Sequence, residues 1–234
     1  MTEDYKFPVI DTIEAAWQKV SGAKGTVWAV MGFIFISAFL FGIIGGILTA
    51  AGLPNLAKIP PVLAGIVQLI LTWGLIYIGI KRAADQPIDY GMVKSVISFE
   101  IFFKMIGVYL IQFAICGVTA IILVPLLLMD THSYVGSIVA IILSVVWYVV
   151  FFFVLIRMYF AKAFVIDKRV DPWTAIKMSV AITQGNVLRI FCFLIICILA
   201  FIISAIPFGI GLIWSLPFLF IVYGLAYKRI MEKL

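Results

Sequence analysis

Six long apolar stretches fill most of this chain, at 26–51, 61–80, 105–129, 135–160, 187–206 and 210–226. A helix needs about 20 apolar residues to cross about 30 Å of hydrocarbon, and in lipid only helices and closed barrels satisfy their own backbone. Each stretch is therefore a candidate span, the last being the shortest. Only 12% of the residues are charged and 65% are hydrophobic, whereas a soluble domain carries roughly 25% charge. The sequence predicts an all-α membrane protein with six transmembrane helices in three hairpins. Short interfacial helices are expected on the cytoplasmic face, in a single polytopic domain over 1–234.

The gaps between spans alternate in charge. Lys6, Lys19 and Lys24 precede the first span, and Lys81, Arg82, Lys94 and Lys104 lie around the second gap. The fourth gap and its borders add Arg157, Lys162, Lys168, Arg169, Lys177 and Arg189; the tail adds Lys228, Arg229 and Lys233. Of the 17 Lys and Arg residues only Lys58 falls on the opposite side, with the short loops 54–60, 130–134 and 207–209. Positive charge stays in the cytoplasm during insertion, so both termini are expected there, in a bacterial inner membrane. The net +6 thus reads as orientation rather than as a nucleic-acid footprint, which needs a basic face on a soluble fold. The first twenty residues are charged and have no apolar core before Val27, unlike a cleavable signal peptide. The first span is expected to stay as an anchor.

The connections between hairpins look alike. A basic, partly amphipathic segment precedes two spans three times, at 7–82, 86–162 and 171–228, and each opens near Pro8, Pro87 or Pro172. Proline suits a first helical turn, where its missing N–H costs nothing. In the first segment Ile10, Ile13, Trp17 and Val20 share a face, the pattern of a helix lying in the interface. Ile88, Met92, Val96 and Phe99 suggest a second such helix, and Asp171 is an N-cap for a third. Either the three units are an internal repeat, or all cytoplasmic connections of a bundle share this composition.

Within the first span Ala38, Gly42, Gly46 and Ala50 recur every four residues. Such a strip lets another backbone approach closely, from a sibling helix or from a second copy in a homodimer. Intramembrane polar groups are few: Gln68 and Thr72 in the second span and Gln112 in the third. They either hold helices together or line a polar path, with Pro217 as a kink in the last span. No carboxylate lies mid-span, which argues against an ion-coupled carrier. His132 stands with Asp130 and Ser133 in an outer loop, too tight a turn to orient a base against a nucleophile. Cys116, Cys192 and Cys197 lie within spans and read as small apolar residues. No motif or carboxylate cluster implies catalysis, a metal or a cofactor.

The largest concentration of cations is the fourth gap. Arg157 ends a long apolar run between Phe and Tyr, where it can snorkel to headgroups or hold a lipid phosphate. Lys162, Lys168, Arg169, Lys177 and Arg189 follow.

Arg157, Phe160 and Ala163-Phe-Val-Ile-Asp167, then Pro172-Trp-Thr-Ala175-Ile, Ser179 and Gly185-Asn186, form a pattern with Gly209-Ile-Gly211-Leu-Ile-Trp-Ser-Leu-Pro217 and Tyr227-Lys-Arg229. It resembles uncharacterised bacterial six-span membrane proteins, which are similar to the membrane portion of some glycerophosphodiester phosphodiesterases. The resemblance covers about the last third of the chain in sequence and the rest by topology. It implies a fold and an inner-membrane location but no catalysis, since that chemistry belongs to a soluble metal-binding domain absent from these 234 residues. The expected function is non-enzymatic: contact with anionic membrane lipids, or organisation of membrane-protein partners, through the basic cytoplasmic face. The alternative is a transporter or lipid carrier with a site near Gln68, Gln112 and Pro217.

Overall fold

The computed structural model describes residues 5–121, 134–206 and 208–232, so Asp130, His132, Ser133, Pro207 and Lys233 lie outside the described residues. Among the described residues the regular structure is helical: α1 (Val9–Lys19), α2 (Lys24–Ala50), α3 (Ile59–Ala83), α4 (Phe99–Ala120), α5 (Tyr134–Arg157), α6 (Ala161–Lys168), α7 (Pro172–Thr183), α8 (Val187–Ala205) and α9 (Leu212–Met231). Helices α2, α3, α4, α5, α8 and α9 are long and apolar enough to cross a bilayer. The protein is an all-α membrane protein.

Several boundaries differ from the sequence reading: α9 runs on to Met231, α5 stops at Arg157, and two further differences lie around residues 90–99. The second amphipathic segment is a 3-10 stretch, Tyr90–Val96, rather than an α-helix. Asp89 closes its start by accepting from the Gly91 N–H at 2.7 Å. Val93 and Val96, three apart, are both buried, the spacing that eclipses side chains in a 3-10 turn. Consequently α4 begins at Phe99 rather than near 105, capped by Ser98, whose Oγ accepts from the Ile101 N–H at 3.2 Å.

The chain divides into two compact units, a terminal unit (Pro8–Phe102 with Cys192–Leu234) and a central unit (Met1–Phe7 with Phe103–Phe191). In the terminal unit α3 and α9 meet backbone to backbone. A Cβ on Gly79 would run into the Phe220 carbonyl, and one on Gly224 into the Gly79 carbonyl. Dispersion between closely approaching helices replaces the hydrophobic drive that lipid removes. Trp73, Leu75, Ile78, Ile80, Ile221 and Tyr227 are buried around this contact.

Helix α1 packs on α9 through its small residues. Thr12 and Ala16 are wholly buried, and of the apolar stripe read from the sequence Val20 is buried, Ile13 half-buried, and Ile10 and Trp17 exposed. Arg229 donates to Thr12 Oγ1 at 3.0 Å near one end of α9. Trp17 meets the Phe218 ring edge-on at 5.8 Å, eleven residues back. The run continues into α2: Trp28 Nε1 donates to the Ile213 carbonyl at 3.1 Å and Lys24 lies over the Trp214 ring at 4.8 Å. The segment from Thr12 to Trp28 therefore follows α9 antiparallel along nearly its whole length. Where α3 ends, Arg82 Nε donates to the Lys19 carbonyl at 3.0 Å and Asp85 pairs with Lys19. That ammonium holds the Asp85 carboxyl below its ordinary range.

The central unit is built on an aromatic and aliphatic core of Met105, Val108, Met158, Phe160, Phe164 and Val165, all buried. The Pro172 ring occupies the space that a side chain at Gly107 would need, which docks the start of α7 against α4.

Candidate functional site

The central unit brings the basic cluster together on a short helical pair that follows α5. Helix α5 stops at Arg157, and the turn 158–160 leads into α6. Arg169 ends α6 in the left-handed conformation, φ 54°. Asp171 then opens α7: its carboxylate accepts from the Thr174 N–H at 2.9 Å, with Pro172 in the first turn. This hydrogen bond holds the Asp171 carboxyl below its usual range. Local sequence thus explains the turn; tertiary contacts fix it in place.

Those contacts come from buried polar side chains. Ser179 Oγ donates to the Arg157 carbonyl at 2.8 Å and accepts from the Phe160 N–H at 3.1 Å. Thr183 Oγ1 donates to the Ser179 carbonyl at 2.8 Å. Asn186 Oδ1 accepts from the Phe7 N–H at 2.7 Å, and its Nδ2 donates to the Tyr5 carbonyl at 2.9 Å. Ser179, Thr183 and Asn186 are at most 1% exposed, and each is satisfied, as a buried polar group must be. One hydroxyl, Ser179, serves both an orphan carbonyl at the end of α5 and the first amide of the next turn.

The cations lie on the elements that precede and follow this locked turn in the chain. The Arg157 guanidinium stands 5.9 Å from the Phe153 ring and has no carboxylate partner among the described residues. Lys162 lies over the Tyr109 ring at 5.1 Å. Lys168 is half-exposed, 3.9 Å from Asp167. Lys104, in α4, donates to the Arg169 carbonyl at 2.5 Å. Lys177 and Arg189 are exposed, and Arg189 Nη1 donates to the Phe7 carbonyl at 3.3 Å. From 157 to 191 six cations face two carboxylates, Asp167 and Asp171. The structure therefore gathers Arg157, Lys162, Lys168, Arg169, Lys177 and Arg189 in one unit and on adjoining elements.

The other sequence candidates are placed differently. Gln112 Nε2 donates to the Met158 carbonyl at 3.2 Å within the central unit, so its amide ties α4 to the turn after α5. Gln68 belongs to the terminal unit, where its carbonyl accepts from Thr72 Oγ1 at 2.7 Å. Pro217 is buried inside α9. Ala38, Gly42, Gly46 and Ala50 are all exposed, and a Cβ on Gly42 or Gly46 would meet nothing within 4 Å among the described residues. The close helix contact is made instead by Gly79 and Gly224, isolated glycines with no repeat to mark them. Ser179 and Asn186 gave no functional signal in the sequence beyond their place in the family-like pattern, and Thr183 gave none.

No group of three or more metal-binding side chains forms among the described residues. Comparison with protein-family models, with curated proteins and with solved structures gives no match. The chemistry of the site rests on its own geometry.

Proposed function

We propose that this chain is a non-enzymatic integral membrane protein that binds anionic lipid headgroups through the basic α5–α6–α7 turn. In this reading the turn faces the cytoplasm at a bacterial inner membrane, and both termini lie on that side. The observation that carries it is Arg157. Its main chain is fixed by Ser179, while its guanidinium, at the end of an apolar helix, touches an aromatic ring and pairs with no carboxylate among the described residues. An unpaired cation at the edge of hydrocarbon is costly, and a lipid phosphate both neutralises it and accepts two parallel hydrogen bonds from the planar fork. Exposed Lys168, Arg169 and Lys177 add attraction of about 1 kcal/mol each to an anionic leaflet.

Native mass spectrometry of the purified protein with dioleoyl phosphatidylglycerol tests the reading. Wild type is expected to retain the lipid, Arg157→Lys to retain less, and Arg157→Gln least, because Lys keeps the charge and loses the fork. Equal retention by all three forms would remove the headgroup site and leave Arg157 a snorkelling anchor.

A further inference from the structure

We propose that the cavity beneath α1 in the terminal unit is a second, chemically opposite site that binds an organic ammonium group. The cavity has a volume of about 390 Å³ and is lined by Ile13, Glu14, Trp17, Gln18, Ala200, Ser204, Ser215 and Phe218. That volume falls in the range of about 300–1,000 Å³ typical of small-molecule sites. Three elements build it: one face of α1, the last two turns of α8 and the first part of α9.

Its polar groups are arranged for a cation that also donates hydrogen bonds. Ser215 is 3% exposed, and its hydroxyl has no hydrogen-bond partner among the described residues. A buried hydroxyl left unpaired is costly, so the site is incomplete until something entering it supplies a partner. Ser204, by contrast, already donates to the Ala200 carbonyl at 2.6 Å and can only accept. Glu14 and Gln18 lie one turn apart on the wall, and Glu14 forms no ion pair among the described residues. No Lys or Arg lines the cavity. The only formal charge there is negative, so the group that enters is cationic and any phosphate it carries stays outside the cavity.

The apolar walls point the same way. Trp17 and Phe218 meet edge to face at 5.8 Å, and the negative faces of aromatic rings attract ammonium groups. Ile13 and Ala200 accept a hydrocarbon portion. The ligand class is therefore a primary ammonium carried on an apolar body, with N–H donors for Glu14 and Ser215. Two sources supply that chemistry: the headgroup of an amine-bearing phospholipid, or a soluble arylalkyl amine.

The test uses full-length protein in detergent with two probes. Dioleoyl phosphatidylethanolamine is compared with dioleoyl phosphatidylglycerol by native mass spectrometry, and phenethylammonium binding is measured by calorimetry. Wild type is expected to bind at least one amine probe. Glu14→Gln is expected to weaken that binding about tenfold, the loss of one strong charge-assisted contact. Ser215→Ala is expected to weaken it while leaving the thermal midpoint unchanged or raised, since the orphan hydroxyl is removed. Asp11→Asn, which removes the same charge from an exposed position of α1 outside the cavity, and Arg157→Gln, in the other unit, are both expected to bind like wild type. Binding of the lipid alone or of the soluble amine alone identifies the source. Failure of both amines to bind wild type, or binding that Glu14→Gln leaves intact or Asp11→Asn weakens as much as Glu14→Gln, overturns the proposal. Neither result bears on phosphatidylglycerol retention at Arg157.

Discussion

Ser179 carries no charge, yet it ties the end of α5 to the turn that follows. Its hydroxyl donates to the Arg157 carbonyl at 2.8 Å and accepts from the Phe160 N–H at 3.1 Å, wholly out of contact with solvent. Alanine at this position removes the bond to the Phe160 amide and leaves the Arg157 carbonyl only the Thr183 hydroxyl at 3.5 Å, at a cost of about 1–3 kcal/mol. Ser179→Ala is therefore expected to lower the apparent thermal midpoint in detergent. Ser144→Ala, which loses only a local bond to the Ala140 carbonyl, should shift it little, within about 0.5 kcal/mol. Equal shifts for the two would show that Ser179 is not holding the turn. Little of this was legible in sequence. The Arg157 partner lies 22 residues from Ser179, and the Asn186 contact to Phe7 spans 179 residues. A polar residue in an apolar stretch announces that it needs a partner, but not which one.

At the scale of elements, the six apolar helices were readable because lipid imposes length and composition on each helix separately. Their pairing was not, because glycine content marks a capacity for close approach without naming the partner. The regular strip at Ala38, Gly42, Gly46 and Ala50 stands exposed, whereas single glycines at 79 and 224 let α3 and α9 touch main chain to main chain. Gly224→Ala is expected to destabilise by about 1–3 kcal/mol or more, since the obstructing atom is a backbone carbonyl that cannot rotate away. Gly42→Ala adds a methyl into open space in a helix and should be neutral or slightly stabilising. Thermal unfolding of both variants in one detergent decides it. A harmless Gly224→Ala would mean that α3 and α9 are not packed at this distance. The 3-10 stretch Tyr90–Val96 carries the same lesson for periodicity. Residues 88, 92, 96 and 99 fit an α-helical face, but Asp89, hydrogen-bonded to Gly91, holds a tighter turn.

For the whole molecule, charge alternation and packing make different statements about the last hairpin. Alternation places 207–209 opposite the basic segments. Packing places Ile213 against Trp28 and Trp214 under Lys24, at the basic end of α2. Phe208 precedes Ile213 by five residues, so position 208 lies within reach of that depth. In the proposed topology both termini are expected on the same side whether this hairpin crosses fully or turns back early, because two helices are added either way. Single cysteines at 132, 89, 168 and 208, in a background freed of Cys116, Cys192 and Cys197, separate the two statements. An impermeant maleimide applied outside intact cells is expected to label 132 and to leave 89 and 168 untouched until the membrane is opened. Position 208 is expected to resist outside labelling as well, because the contact with α2 holds the start of α9 at the level of Lys24. Strong labelling at 208 from outside would return the hairpin to a full crossing and remove the antiparallel run of α1 along α9. Labelling at 89 or 168 would reverse the orientation and put the Arg157 turn on the wrong leaflet for the proposed lipid contact.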